Sequence, residues 1–94
     1  MKNEPLKYDQ GKLRWDLLPF RELDQVADIY TFGSIKYEAN SWQNVEKERY
    51  HAALLRHISK YMQGEVLDEE SQKHHLAHAA WNCLALLYNY NEGK

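Results

Sequence analysis

Apolar residues recur at intervals of three and four along most of the chain, and the rhythm breaks where turn-forming residues intervene. The first stripe, Leu23, Val26, Ala27 and Tyr30, predicts a helix beginning near Pro19, whose fixed φ and missing N–H suit a first helical position. Gly33 marks a stop or kink in it, and Ser34 to Glu38 can continue it. Ala39-Asn40-Ser41-Trp42-Gln43-Asn44 carries turn formers around one large aromatic and reads as a loop. A second helix is expected from about Val45 to Met62, with Tyr50, Leu54, Ile58 and Tyr61 on its core face and Gly64 as its stop. A third is expected from near Asp68, where Asp68-Glu69-Glu70 matches the positive end of a helix dipole, to about Tyr90. Both prolines, Pro5 and Pro19, precede Phe20, so no strong helix breaker follows. The expected fold is all-α: a compact, oligomeric bundle of three main helices over residues 19–94. Residues 1–18 form a polar N-terminal arm, laid over the helices and anchored by Trp15, Leu17 and Leu18.

The third helix is unusual, because no Asp, Glu, Lys or Arg occurs from Leu76 to Asn91. Such a helix lacks an ordinary charged solvent face and should be nearly surrounded by protein. At 100° per residue His75, His78 and Asn82 fall within about 60° of one another, a polar stripe on a helix otherwise lined by Leu76, Ala79, Ala80, Cys83, Leu84 and Leu87. Buried polar groups need partners. On the second helix Arg49, Arg56 and Lys60 lie within about 40° of one another, with His57 at the edge of the core face. Antiparallel packing through the short connection from Gly64 to Leu67 would set the basic stripe beside the His/Asn stripe and make a pocket for a phosphorylated ligand. Glu65 and Asp68, spaced Glu-x-x-Asp at the mouth of that hairpin, could bridge one magnesium ion to two phosphates.

Plainer roles compete for the same residues. Asp68 also reads as a helix N-cap, and the basic stripe as a solvated face answering Glu46 and Glu48. Trp42, with Lys36 and Tyr37 beside it, is either a lid that stacks on a base or a plug over the core. The tract His74-His75-Leu76-Ala77-His78 is read as structural, hydrogen-bonding histidine rather than a transition-metal site, since His74 points away from the stripe and an i,i+3 pair alone is a weak ligand set.

Charge and length narrow the functional classes. A formal charge of −2 gives no global pull toward a nucleic-acid polymer or an anionic membrane, so any anion must meet a local cluster. The single Cys83 excludes an internal disulfide and multi-Cys zinc sites, and it reads as a buried small hydrophobe in a reducing cytoplasm. The first ten residues lack the apolar core of a signal peptide, and no run approaches a membrane span. A chain of 94 residues buries too little of its own surface to be robust alone, so a homo-oligomer is expected.

Several segments together resemble a known family. They are Lys12-Leu13-Arg14-Trp15-Asp16-Leu17-Leu18-Pro19, Phe32-Gly33-Ser34-Ile35-Lys36-Tyr37 followed by Asn40 and Trp42, and Arg49-Tyr50 with Arg56-His57. The set ends with Gly64-Glu65, Asp68, Ser71 and His75-Leu76-Ala77-His78-Ala79-Ala80-Trp81-Asn82. Together they are similar to the phage dATP/dGTP diphosphohydrolase family, itself distantly like the all-helical nucleotide pyrophosphohydrolases. The resemblance implies a purine deoxynucleoside triphosphate cleaved between its α- and β-phosphates in the cytoplasm of an infected cell. Glu65, Asp68 and His57 would then be catalytic, and Glu65 and Asp68 would hold Mg2+. Lys36, Tyr37, Trp42, Arg49, Arg56, Lys60, His75, His78 and Asn82 would bind the ligand. The helical pyrophosphohydrolases hold magnesium with Glu-x-x-Glu on one helix and Glu-x-x-Asp on the next. Here only Glu65 and Asp68 fit that pattern, which keeps open a non-catalytic sponge that sequesters a nucleotide immune signal, such as a cyclic dinucleotide or an ADP-ribose derivative, against host defence. A third class, a helical adaptor whose stripes are protein contacts, would leave His75, His78 and Asn82 unexplained.

Overall fold

The structure, a computed structural model, describes residues 11–94. Its main elements are α1 (Phe20–Lys36), α2 (Lys47–Met62) and α3 (His75–Asn91), with single 3-10 turns at Trp15–Leu17 and Ser41–Asn44. Among the described residues the only bridge between extended segments is the isolated pair Leu67 and His74. The all-helical class expected from the periodicity is therefore what the chain adopts. No helix among the described residues is long and apolar enough to cross a membrane. The first ten residues, where Pro5 and most of the expected arm lie, are outside the described residues.

Pro19 stands just outside α1, and its carbonyl accepts from the N–H groups of Glu22 and Leu23. Gly33 does not interrupt the helix, which ends when Tyr37 turns extended at φ −130°. The buried side chain of α1 is Ile29, flanked by half-buried Leu23, Val26 and Tyr30, whereas Ala27 is exposed. The packed face is thus rotated slightly from the expected stripe.

α2 ends in a double reverse bond: Glu65 N–H donates to the Lys60 carbonyl and Gly64 N–H to that of Tyr61. This termination needs a left-handed residue after the helix, and Gly64 supplies it at φ +99°. The consequence is functional, since the reversal carries Glu65 back toward α3.

α3 begins seven residues later than Asp68. Asp68 does begin a helical turn, because its Oδ2 accepts from the Ser71 N–H and its carbonyl from that of Gln72. The turn aborts at Gln72, which adopts φ +62°. The chain then pairs back through Asp68 N–H to the Lys73 carbonyl and His75 N–H to that of Val66. α3 is capped by His74, whose Nδ1 accepts from Leu76 N–H. Local capping chemistry at Asp68 was legible; the termination four residues later was not.

α3 is the central element, with α2 and α1 packed against it. Ala77, Ala79 and Ala85 are buried on it, small side chains that allow close approach. On α2 Tyr50 is buried and Leu54 half-buried, but Ile58 and Tyr61 are exposed and His57, placed at the edge of the face, lies at 6% exposure in the core. Within one chain α3 is not surrounded: Leu76, Leu84, Leu87 and Cys83 are exposed. Two neighbouring helices cover only part of its circumference. Trp15, Leu17 and Leu18, expected as anchors, are all exposed, Leu18 least at 38%.

Candidate functional site

The short connection after Gly64 and the start of α3 bring four imidazole and carboxylate groups to one place. His75 is almost wholly buried, at 2% exposure. Its Nε2 lies 2.7 Å from Glu65 Oε2, and its Nδ1 lies 2.8 Å from Nδ1 of His57. A carboxylate accepts only, so His75 Nε2 carries the hydrogen and its Nδ1 offers a lone pair toward His57. His57 in turn stacks on His78, with ring centroids 4.5 Å apart and planes 4° from parallel. His78 Nε2 is 2.7 Å from Ser71 Oγ, on the turn whose N–H groups Asp68 caps. Glu65, His75, His57 and His78 therefore form one continuous line, with Asp68 and Ser71 alongside.

Burial shapes the protonation of this line. Loss of solvent, aided by the charges of His78 and His75 and opposed by Asp68, pushes His57 down to about 4. His78 is lowered for the same reason, again against the pull of Asp68. Burial would raise the Asp68 carboxyl, but hydrogen bonds from Ser71 and the nearby His78 and His57 hold it below the ordinary carboxylate range. Near neutral pH the depressed His57 and His78 favour their neutral, electron-pair-donating form beside an ionised Asp68.

Beside this line opens a cleft of about 740 Å³, within the range of small-molecule sites. One wall is aromatic. Trp42 packs edge-on against Tyr30, at 5.6 Å, and against Tyr88, at 4.9 Å, while Trp81 meets Tyr30 at 5.7 Å and Tyr50 at 5.4 Å. Tyr50 O–H donates to the Trp42 carbonyl, and burial pushes its pKa up to about 12. Trp42 is thus a plug seated on the core that also presents a surface to the cleft. Lys36, Tyr37, Arg49 and His78 line the same space. The Lys36 ammonium lies over the Tyr37 ring at 5.4 Å and 3.8 Å from Glu70, while Arg49 meets no ion-pair partner among the described residues.

The candidate residues therefore divide. Lys36, Tyr37, Trp42, Arg49 and His78 share the cleft; Glu65, Asp68, His57 and His75 gather behind His78. Arg56 and Lys60 are exposed on α2 and do not line the cleft, so the basic stripe contributes only Arg49 to it. Asn82 is buried at 2% exposure, donates Nδ2 to the His78 carbonyl within its own helix, and leaves Oδ1 without a partner among the described residues. The residue of α2 that meets the His75 and His78 side chains directly is His57, while Arg56 and Lys60 stay outside. The periodicity left Tyr30, Trp81 and Glu70 out of the site. Tyr30 reads as part of the apolar stripe of the first helix, Trp81 carries no role beyond the family resemblance, and Glu70 falls in an expected helix that does not form there.

Comparisons with known proteins bear on this arrangement. A family model described as dATP/dGTP diphosphohydrolase, N-terminal, matches residues 2–94. A "dATP/dGTP diphosphohydrolase" of Salmonella phage PMBT28 is 33% identical over 86 residues, which cover 92% of this chain and 30% of that relative. The chain thus spans under a third of the length of the curated relative it matches. No solved structure gives a significant match. The chain belongs to the dATP/dGTP diphosphohydrolase N-terminal family.

Proposed function

We propose that the cleft binds a purine deoxynucleoside triphosphate, dATP or dGTP, and that the protein hydrolyses it between the α- and β-phosphates to the monophosphate and pyrophosphate. The observation that carries this is the pairing, in one cleft, of an aromatic wall with two cations, Lys36 and Arg49. Aromatic faces hold a base by stacking, whatever its hydrogen-bonding edge, while an ammonium and a guanidinium fork meet phosphate oxygens. The choice of dATP or dGTP comes from the name of the phage relative and of the family, both of hydrolysing enzymes, and neither lends support to simple sequestration.

Cleavage of a phosphoanhydride needs an in-line water and a place for its proton. His78 is the member of the histidine line that reaches the cleft, and its depressed pKa keeps it neutral and able to accept that proton. Asp68, through Ser71, and His57, through its stacked ring, orient it. Glu65 acts at one remove, on His75. The magnesium expected on Glu65 and Asp68 does not suit these residues. Glu65 Oε2 is bonded to His75, and the ligand set that gathers around Asp68 is completed by two imidazoles and does not include Glu65, whereas magnesium selects oxygen.

The test is to incubate the purified protein with dATP, dGTP and a panel of other nucleotides, then denature it and separate what is recovered. Pyrophosphate with dAMP or dGMP is expected; recovery of the nucleotides intact would contradict hydrolysis. Self-association belongs to the same proposal, a second copy covering Leu76, Leu84 and Leu87, which a single chain leaves exposed. Light scattering at micromolar concentration should give a dimer or larger mass, and a monomer's mass would leave that face to solvent.

A further inference from the structure

Three groups from three parts of the chain converge on one point. His57 comes from the middle of α2, Asp68 from the aborted turn, and His75 from the first position of α3. One ligand atom from each lies within 4.8 Å of the others. Donors about 2.0–2.2 Å from a common ion stand about 3 Å apart when adjacent and at most about 4.4 Å apart when opposite, so the two imidazoles, 2.8 Å apart, are already at adjacent-ligand spacing and Asp68 lies within a short side-chain movement of them.

The orientation of the imidazoles makes this more than proximity. Glu65 Oε2 takes the Nε2 hydrogen of His75 at 2.7 Å, which fixes the tautomer and turns the Nδ1 lone pair inward. A carboxylate behind a ligating histidine is the usual outer support of protein-bound metal. His57 Nδ1 faces that lone pair at 2.8 Å. Without an ion the two nitrogens share a single hydrogen. With one, at about 2.1 Å from each nitrogen, the same separation subtends an angle near 84°, as for adjacent ligands of an octahedral ion. His57 and His75 are buried, so water does not compete for them, whereas Asp68 is half-buried and leaves an open side for water or an anion.

We propose that His57, Asp68 and His75 hold one divalent transition-metal ion, with Glu65 as a positioning residue acting through His75. Two imidazoles and one carboxylate select ions of the zinc, cobalt and manganese class over magnesium. The proposal stands on this geometry and not on the nucleotide reading, although His78, stacked on His57, would be the wall between ion and cleft.

The experiment uses the full chain, stripped with a chelator and titrated separately with Co2+, Zn2+ and Mg2+. One Co2+ or Zn2+ per chain after dialysis, visible ligand-field bands from Co2+ and a raised Tm are expected, with no such rise from Mg2+ at equal concentration. Asp68→Asn, which keeps an acceptor for Ser71, should weaken Co2+ affinity at least tenfold, and Glu65→Gln should weaken it by about 10- to 100-fold. His51→Ala, on the exposed side of α2, should leave it unchanged. Circular dichroism checks each fold, and if Asp68→Asn fails to fold, Glu65→Gln alone carries the reading. Retention of no transition-metal ion by the wild-type chain, binding of Mg2+ as tight as of Co2+, or a folded variant that binds Co2+ like wild type would overturn the site.

Discussion

Arg49→Ala should weaken binding of dATP or dGTP by about 10- to 150-fold while leaving thermal stability unchanged. Arg49 lines the cleft and has no ion-pair partner among the described residues, so the fold loses little when it goes. A phosphate ligand loses a charge-assisted bond contributing about 1.5–3 kcal/mol, which sets the size of the effect. Arg56→Ala is the internal comparison. Arg56 shares the helical stripe but is exposed and does not line the cleft, so its removal should change affinity little. Calorimetric titration reads both; equal affinities for wild type and Arg49→Ala would place the phosphates elsewhere.

The second large effect concerns acid. The fold depresses His57 from 6.5 to about 4, chiefly by burial, and so favours the neutral form. As pH falls below 6.5 the unfolded chain takes up a proton that the folded chain refuses, so the unfolded state binds more protons and stability falls. The loss runs from 6.5 to about 4 and stops there, where the folded state protonates too; its size is on the order of 3 kcal/mol. His78 is shifted in the same direction and adds to it. Asp68 is depressed as well, so its contribution is also lost on acidification, but only below 3.8, outside this window. Denaturant unfolding of the metal-free chain at about pH 7 and about pH 4.5 measures the difference, and a flat profile would mean that His57 is solvated in the native state.

Much of the fold could be read from spacing, and most of what could not lies in the ten residues before α3. Helix class and the ends of α2 follow from local rules, as Gly64 shows: a left-handed residue is needed there, and glycine provides it. The delayed start of α3 was hidden, because Asp68 caps its turn just as a helix N-cap would and only Gln72, with no special sequence signature, reverses it. The site was legible in part. The stripe of His75, His78 and Asn82 on an uncharged helix pointed to buried polar function, and two of its members join the cluster. What spacing could not supply was the partner across the helix interface. Helical geometry placed His57 at an edge and the cations inward, whereas the packing of α2 on α3 buries His57 against His75 and His78 and leaves Arg56 and Lys60 exposed. The histidine tract gave only a weak metal signature within one helix, and the two groups that gather with His75 come from α2 and the turn.

The central claim is that a purine nucleotide occupies the cleft between the aromatic wall and Lys36 and Arg49, and a crystal structure with a non-hydrolysable dATP analogue tests it most directly. The base should stack against the wall that Trp42 helps to form, with phosphate oxygens within hydrogen-bonding distance of Arg49 and Lys36 and the α-phosphate nearest His78. An analogue bound elsewhere, with this cleft left to solvent, would contradict it.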